Sequence, residues 1–584
     1  MPVFVLGGLA AIYGWSYLLG FGESRSLGVP WAAFNVLIAS MVLVVVARHA
    51  ILFLVAWEIM SVAAYLLVAF EHQEASVRRA GWVYLIATHI GVAFLIAMFL
   101  VLGRQAGSFE FDQMLTTRRM GAPLSAVLFV FALIGFGAKA GVVPLHVWLP
   151  EAHAAAPSHV SAVMSGVLIK MGIYGILRAV MLLGEPAAWW GTVLIFLGLT
   201  GGALGIALAI YQRDLKRVLA YSSIENIGLV LLGLGVGLWG SRNGYPRVAT
   251  FGLIGGLLHI WNHAMMKGLM FLGAGSVLHA CHTKDLELLG GLSHRMPRTA
   301  TLIILGATAI AGLPPLNGFV SEWLLYSALL HGALEGQGAG GVAVMAAVAA
   351  VSLIGAMAAL CFTRLIGVVV LGQPRGAGAA HAHESSVWMT APMMALGVLL
   401  MALALVPGIL NPVFDRLAGQ LLGGPETHIA ASAVGLEKLG VLNASLLGVL
   451  GLGVLMAFVL QRGRSKVLDS TWGCGYVAPS SRMQYGGRAL SELFTSALLP
   501  ARLAPRFSTR VPEGLFPKAT RFESDTSDPL TRGAYEPFFA RWADRFARLR
   551  WMQQGMLHVY IIYILVTLIL ALAWSAAQFV WAGP

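Results

Sequence analysis

Apolar stretches close to 20 residues long, separated by short polar segments, run through most of this chain. None shows the two-residue alternation of a barrel strand, and a hydrocarbon core of ~30 Å takes about 20 helical residues to cross. The pattern therefore predicts an all-α fold, a polytopic membrane helix bundle. Spans fall near residues 2–20, 29–47, 50–70, 80–102, 122–150, 158–183, 190–211, 218–240, 248–279, 299–331, 342–371, 387–410, 438–461 and 556–582, about 14 transmembrane helices. Two of these are too long for plain helices and contain breakers. One holds Val143-Pro144, the other Gly312-Leu313-Pro314-Pro315-Leu316-Asn317-Gly318. Both read as discontinuous helices, and each takes the fourth place in a block of five spans, 29–183 and 190–371. Five is odd, so the second block enters from the opposite face, the plan of two inverted repeats. An N-terminal span (1–28), additional spans (372–461), a polar segment (462–555) and a C-terminal span (556–584) complete the predicted organisation.

Composition agrees with the pattern. Of 584 residues, 58% are hydrophobic and 11% charged, against roughly 25% charged in soluble proteins, which excludes a string of soluble domains. The net charge of +12 would suggest nucleic acid in a soluble protein; here it reports orientation, and no nucleic acid is expected. Loops on one side carry about 25 Lys and Arg and those on the other about 7, which makes the first side, including 462–555, cytoplasmic and turns both termini outward. The first apolar stretch lacks a basic flank and a cleavage pattern, so it is expected to be retained. Cys281, Cys361 and Cys474 are isolated, so neither a disulfide framework nor a cysteine-ligated cluster is expected, and any redox cofactor belongs to a partner chain.

Ionisable residues at membrane depth carry the functional signal. Arg178, Arg364 and Lys438 lie near enough to span ends to snorkel, whereas Lys139, Lys170, Lys267, Glu58, Glu225 and Glu322 lie deeper. An ammonium in apolar surroundings keeps its proton while a carboxylate is near and gives it up when the carboxylate leaves, so a Glu58–Lys139 pair is either a proton switch or a static packing pair. His259, His263 and Lys267 recur every four residues and line one helix face, as a proton relay requires. A metal site or a packed histidine pair remain the alternatives at this HxxxH spacing. His279, Cys281 and His282 read as a polar helix end, and His146, His153 and His159 flank the first break. Glu58 and Glu225 hold matching places in the two blocks, which places Glu225 within reach of His263 and Lys267.

The run from Lys139 to His153 (Lys-Ala-Gly-Val-Val-Pro-Leu-His-Val-Trp-Leu-Pro-Glu-Ala-His), with Pro157 and Leu168-Ile-Lys170-Met-Gly, resembles the antiporter-like subunits of respiratory complex I and the large Mrp antiporter subunits over about residues 29 to 371. Leu219-Ala-Tyr-Ser-Ser-Ile-Glu225-Asn226-Ile-Gly228, Leu313 to Trp323, and Trp472-Gly-Cys-Gly-Tyr with Arg482-Met-Gln-Tyr485 look most like the hydrogenase-4 and formate hydrogenlyase branch of these proteins. The resemblance implies a polar axis at the membrane midplane. Glu58 and Lys139 would be the coupling pair, Lys170 the connecting lysine, His259, His263 and Lys267 the continuation, and Glu322 the terminal proton site. It further implies a proton-translocating subunit in a prokaryotic plasma membrane, with other membrane subunits and a peripheral redox arm as partners. That arm would be a group 4 nickel-iron hydrogenase, and the nickel-iron centre and iron-sulfur clusters would sit on partner subunits, none in this chain. The rivals are an Mrp-type cation/proton antiporter and a membrane anchor without pumping. One departure is that the family usually places four spans before the equivalent of Glu58, and this sequence shows two, so a shortened N-terminal region is expected.

Before the last span, Phe538, Phe539, Trp542, Phe546, Leu549 and Trp551 mostly recur every three or four residues, with Arg541, Arg545 and Arg548 between them. This pattern predicts an amphipathic helix lying in the membrane surface.

Overall fold

The computed structural model describes residues 1–23, 25–116, 120–336, 338–422, 429–462, 480, 483–497, 499–509, 514, 522–548, 550 and 557–581. They form two compact units, Met1–Thr526 and Ser527–Pro584. Twelve helices among the described residues are long and apolar enough to cross a membrane.

The discontinuities have local causes. The helix Ala122–Ala140 ends on Gly141, whose φ of 76° is left-handed and whose N–H bonds Gly137 O, a conformation glycine adopts without steric cost. After the cis Val143–Pro144 bond the chain becomes helical again at Trp148–Ala155. Trp148 Nε1 donates to Ala138 O at 2.7 Å, so a carbonyl in the last turn of the first piece gains a partner from the second. The segment expected as a loop at 151–157 is thus helical as far as Ala155, because Trp148 anchors the restart. The second discontinuity joins Pro297–Ile310 to Asn317–Glu335 through Gly312 (φ 66°) and a cis Pro314–Pro315 bond. The sequence signalled no break at Met164–Leu168, yet this stretch is one π-helical turn just before Lys170. Turns of this type occur often at functional sites.

Two helices form the centre of the first unit, Leu215–Arg242 and Pro246–Cys281, and both are almost wholly buried. Asp214 starts the first, its carboxylate accepting from Lys216 N (2.8 Å) and Arg217 N (3.1 Å), an N-cap that satisfies two otherwise orphaned donors. The neighbouring helix Ala188–Ile210 comes close through Gly191, Gly198 and Gly205, seven residues apart. A Cβ at these positions would lie 2.8 Å from Gly235 O, 2.6 Å from Leu232 N and 2.5 Å from Glu225 N. Small residues in a row let helix backbones approach where lipid offers no hydrophobic drive.

Part of the polar segment packs on the ends of these helices rather than running as a loop. Tyr211 OH donates to Leu503 O (3.3 Å), Gln212 Nε2 to Thr526 O (3.1 Å) and Arg213 Nη1 to Ser524 Oγ (3.1 Å). It includes a helix, Gly487–Ala497, and an antiparallel pair of short strands, Arg506–Thr509 and Phe522–Asp525, a small addition to an otherwise helical fold. Arg364, expected to snorkel, is instead buried. Its Nε donates to Gly487 O (2.7 Å) and its Nη2 to Gln212 O (2.8 Å), because the Gly487 helix covers it. The motif Trp472 to Tyr476, with Cys474, and Arg482 lie outside the described residues.

In the second unit, Glu536–Ala547 and Leu557–Trp581 are helices. Phe538, Phe539, Trp542 and Phe546 are exposed on the first, and the Arg545 guanidinium sits 5.0 Å from the Trp542 ring centroid. Leu549 and Trp551 lie outside the described residues.

Candidate functional site

Lys139 stands in the last turn of Ala122–Ala140, buried to 1% exposure. Its Nζ donates to Ser61 Oγ at 2.7 Å and to Tyr84 OH at 3.2 Å, and lies 5.7 Å from the Trp57 ring centroid. Glu58 is one helical turn before Ser61 in Ala50–Val68, yet its carboxylate turns elsewhere. Oε2 is 3.3 Å from His89 Nε2, and Oε1 is buried without a hydrogen-bond partner. Glu58 and Lys139 are electrostatic neighbours, but Ser61 and Tyr84 take the direct contacts.

The second cluster lies on the central helices. Lys267 Nζ donates to Ser222 Oγ (2.5 Å) and Leu219 O (2.7 Å). Glu225, one turn beyond Ser222, accepts at Oε2 from Asn226 Nδ2 (2.5 Å) and is an electrostatic neighbour of both Lys267 and Glu322. The two clusters share a feature, although the serine follows the glutamate in the first and precedes it in the second. A serine one turn from the glutamate holds the lysine, and a separate side chain holds the glutamate.

Lys170 joins the histidine stripe. Its Nζ bonds Ser165 O and lies 2.5 Å from His263 Nδ1. An ammonium only donates, so His263 accepts at Nδ1 and carries its hydrogen on Nε2, which is buried with no partner. His259 Nε2 lies 3.0 Å from Asn226 Oδ1. The Asn226 amide donates to Ser222 O and Glu225, so its oxygen must accept, and His259 carries a hydrogen on Nε2. His259 Nδ1 faces Ser321 Oγ at 2.9 Å, one residue from Glu322, and the two imidazole centroids are 6.3 Å apart. Ser165 Oγ and Ser223 Oγ, 2.7 Å apart, link the Lys170 helix to the Glu225 helix. Glu322 lies against the second break, where a Cβ on Gly312 would collide with its carboxylate.

Lys139, Lys170, Glu225, His259, His263 and Lys267 are all buried, with Glu58 and Glu322 partly so. Sequence reasoning gave no role to Ser61, Tyr84, His89, Ser165, Ser222, Asn226 and Ser321. Of these only His89, an imidazole in the middle of an apolar span, left a signal that could have been read. Among the described residues no group of three His, Cys, Asp or Glu is placed to hold a metal ion, and the HxxxH histidines are engaged by Asn226, Ser321 and Lys170.

Comparisons with known proteins identify the family. A family model described as NADH:quinone oxidoreductase/Mrp antiporter, TM, matches residues 47–346. Hydrogenase-4 component B of Escherichia coli (strain K12) is 33% identical over 97% of this chain and 85% of its own length. Formate hydrogenlyase subunit 3 of the same organism is 34% identical over 67% of this chain and 63% of its own. In fold, the chain is similar to one in the structure of the membrane-bound sulfane sulfur reductase, an archaeal respiratory membrane complex (TM-score 0.70, 22% identity, 98% of this chain and 88% of that one). It is also similar to one in the Mrp complex from Dietzia sp. DQ12-45-1b (TM-score 0.63, 20% identity, 74% and 84%). The chain belongs to the NADH:quinone oxidoreductase/Mrp antiporter transmembrane family and is a multi-pass, antiporter-like membrane subunit.

Proposed function

We propose that this chain translocates protons as a subunit of a multi-subunit redox complex in a prokaryotic plasma membrane, with a group 4 nickel-iron hydrogenase as the redox arm. The nickel-iron centre and iron-sulfur clusters then belong to partner subunits. Segment 462–555 faces the cytoplasm, and blocks 29–183 and 190–371 act as two inverted repeats. One observation carries the reading. Buried ionisable groups, Lys139 and Lys170 in the first block and Lys267, Glu225 and His259 in the second, are each held by neutral hydroxyl, amide, imidazole or carbonyl partners. Such partners bond a protonated or a deprotonated amine with little rearrangement, whereas a locked ion pair would hold the charge in place.

In this mechanism Glu58 moves between two positions. Beside Lys139 it stabilises the ammonium; away from it the lysine releases its proton in an apolar site. The proton passes by way of Lys170 and the His263, His259 and Lys267 face, with Glu225 as the acid of the second half and Glu322 as the terminal proton site. The similarity to hydrogenase-4 component B and formate hydrogenlyase subunit 3 supports the choice of redox arm.

The test is proton uptake by vesicles holding the purified complex. Lys139→Ala and Glu58→Gln should each lower redox-driven uptake at least about tenfold, with assembly unchanged on native gels. Wild-type uptake in both assembled variants would reject the mechanism. A sodium-dependent pH change without the redox arm would favour a cation/proton antiporter instead.

A further inference from the structure

The two halves of the bundle differ in what holds the glutamate away from its lysine. Glu225 is held by Asn226, an amide that does not titrate. Glu58 instead lies beside His89, Oε2 3.3 Å from Nε2, in the middle of the helix Ala75–Ala106. His89 Nδ1 lies 2.9 Å from the carbonyl oxygen of Leu85 in the preceding turn. A carbonyl only accepts, so Nδ1 must carry a hydrogen. In a neutral ring Nε2 is then a bare lone pair, and 3.3 Å away Glu58 Oε2 would present another. Two acceptors at that distance repel unless the pair carries a further proton.

We infer that His89 is a proton-dependent latch on Glu58, holding it off Lys139 only while the His89–Glu58 pair carries one proton beyond that on Nδ1. The inference rests on the proton-translocating reading of the same site. With that proton the pair has no net charge, whether imidazolium beside carboxylate or imidazole beside carboxylic acid. Without it the pair carries one negative charge on a flank of the bundle where the side chains are 49% and 32% exposed. A lone charge on an apolar flank near the centre of a span is strongly disfavoured. The remedy lies close by. Among the described residues, Lys139 and Tyr84 interact electrostatically with Glu58 from the helices packed around it, and of these two Lys139 offers a positive charge. Loss of the latch proton therefore drives Glu58 inward to Lys139, and its return releases Glu58 to His89. The balance is one proton leaving or entering the pair per movement. In the second half an amide takes the place of the imidazole, so the first half is the conditional one and His89 is a positioning residue for Glu58.

The experiment uses the whole complex in vesicles, with proton uptake followed across pH and difference infrared spectra taken without turnover. The Glu58 carboxyl band is the one lost in Glu58→Gln, and the His89 ring band is the one lost in His89→Gln. Both should change together with pH in the wild type. His89→Gln can still donate to Glu58 but cannot take a proton. It should uncouple the Glu58 band from pH and change the ratio of uptake on the acid and alkaline limbs by at least about fivefold. His89→Leu should do the same. Wild-type pH profiles and an unchanged Glu58 band in the His89 variants, with uptake abolished by Lys139→Ala, would overturn the latch and leave the proposed function standing. Uptake untouched by Lys139→Ala and Glu58→Gln would instead overturn the function, and the infrared bands would still decide the latch. If neither His89 variant assembles, isotope-labelled histidine in the wild type serves. Carboxyl and imidazole bands that change over separate pH ranges would overturn the latch.

Discussion

Asn226 touches more of the site than any charged residue. Its amide nitrogen serves Ser222 O and Glu225, and its oxygen lies 3.0 Å from His259 Nε2. Replacing it with leucine leaves the Glu225 carboxylate without its amide donor and His259 Nε2 without its acceptor in a buried place. Each buried group left unsatisfied costs about 1–3 kcal/mol. Asn226→Leu should therefore lower the midpoint of thermal unfolding and reduce proton uptake at least about tenfold; uptake at the wild-type level in the assembled complex would count against a role for this bridge. Ser222→Ala removes one of two acceptors from Lys267 and leaves Leu219 O, so the stability loss should stay near about 1 kcal/mol. Thermal unfolding of the two variants side by side checks the order. The lysines and glutamates of the site stood out in the sequence because ionisable groups are rare in apolar spans. Ser61, Ser222, Asn226 and Ser321 did not, since serine and asparagine are tolerated throughout such spans and their roles arise only from which helix lies opposite.

At the scale of elements, the spacing between helices sets how near the charged groups come. The Gly191, Gly198 and Gly205 row seats one helix directly against the backbone that carries Glu225, and Gly205 is the tightest point, with a Cβ 2.5 Å from Glu225 N and 3.0 Å from Tyr221 O. Backbone atoms cannot rotate aside, so Gly205→Ala should displace the Glu225 helix and cost about 1–3 kcal/mol, with a matching loss of proton uptake. Gly448, in Leu436–Gln461, has nothing within 4 Å of a Cβ. Gly448→Ala should be neutral or stabilising by about 0.5–1 kcal/mol, and a thermal midpoint lowered equally by both variants would reject the argument. Both helix breaks were legible because proline and glycine mark them locally. The π-turn at Met164–Leu168 was not, because nothing in that run forbids an ordinary helix. The turn packs tightly against other helices, where a Cβ on Gly166 would lie 2.1 Å from Leu6 Cδ2 and 3.1 Å from Ala264 O.

For the whole molecule, the sequence pattern located the spans but not the packing of the polar segment on helix ends, since contacts such as Tyr211 with Leu503 join residues almost 300 positions apart. The exposed aromatics of Glu536–Ala547 fit a helix lying in a membrane surface, which the proposed orientation puts on the cytoplasmic side. Single cysteines at Arg541 and Arg545 should react with a membrane-impermeant reagent only from the cytoplasmic face, and labelling from the outer face alone would reject that orientation. The central helices have a further consequence, for biogenesis. Leu215–Arg242 and Pro246–Cys281 are the two least apolar of the twelve candidate spans, one carrying Glu225 and the other Lys267, and only residues 243–245 separate them. Inserted singly, each would expose its charge to lipid; entering as a hairpin, they cover Lys267 with Ser222 and Leu219 O from the start. Glycosylation-tagged segments should show residues 246–281 inserting poorly alone and well when preceded by 215–245, and Lys267→Leu should remove that dependence. The buried charges that shape the interior of the finished subunit would thus make its two central helices depend on each other for entry into the bilayer.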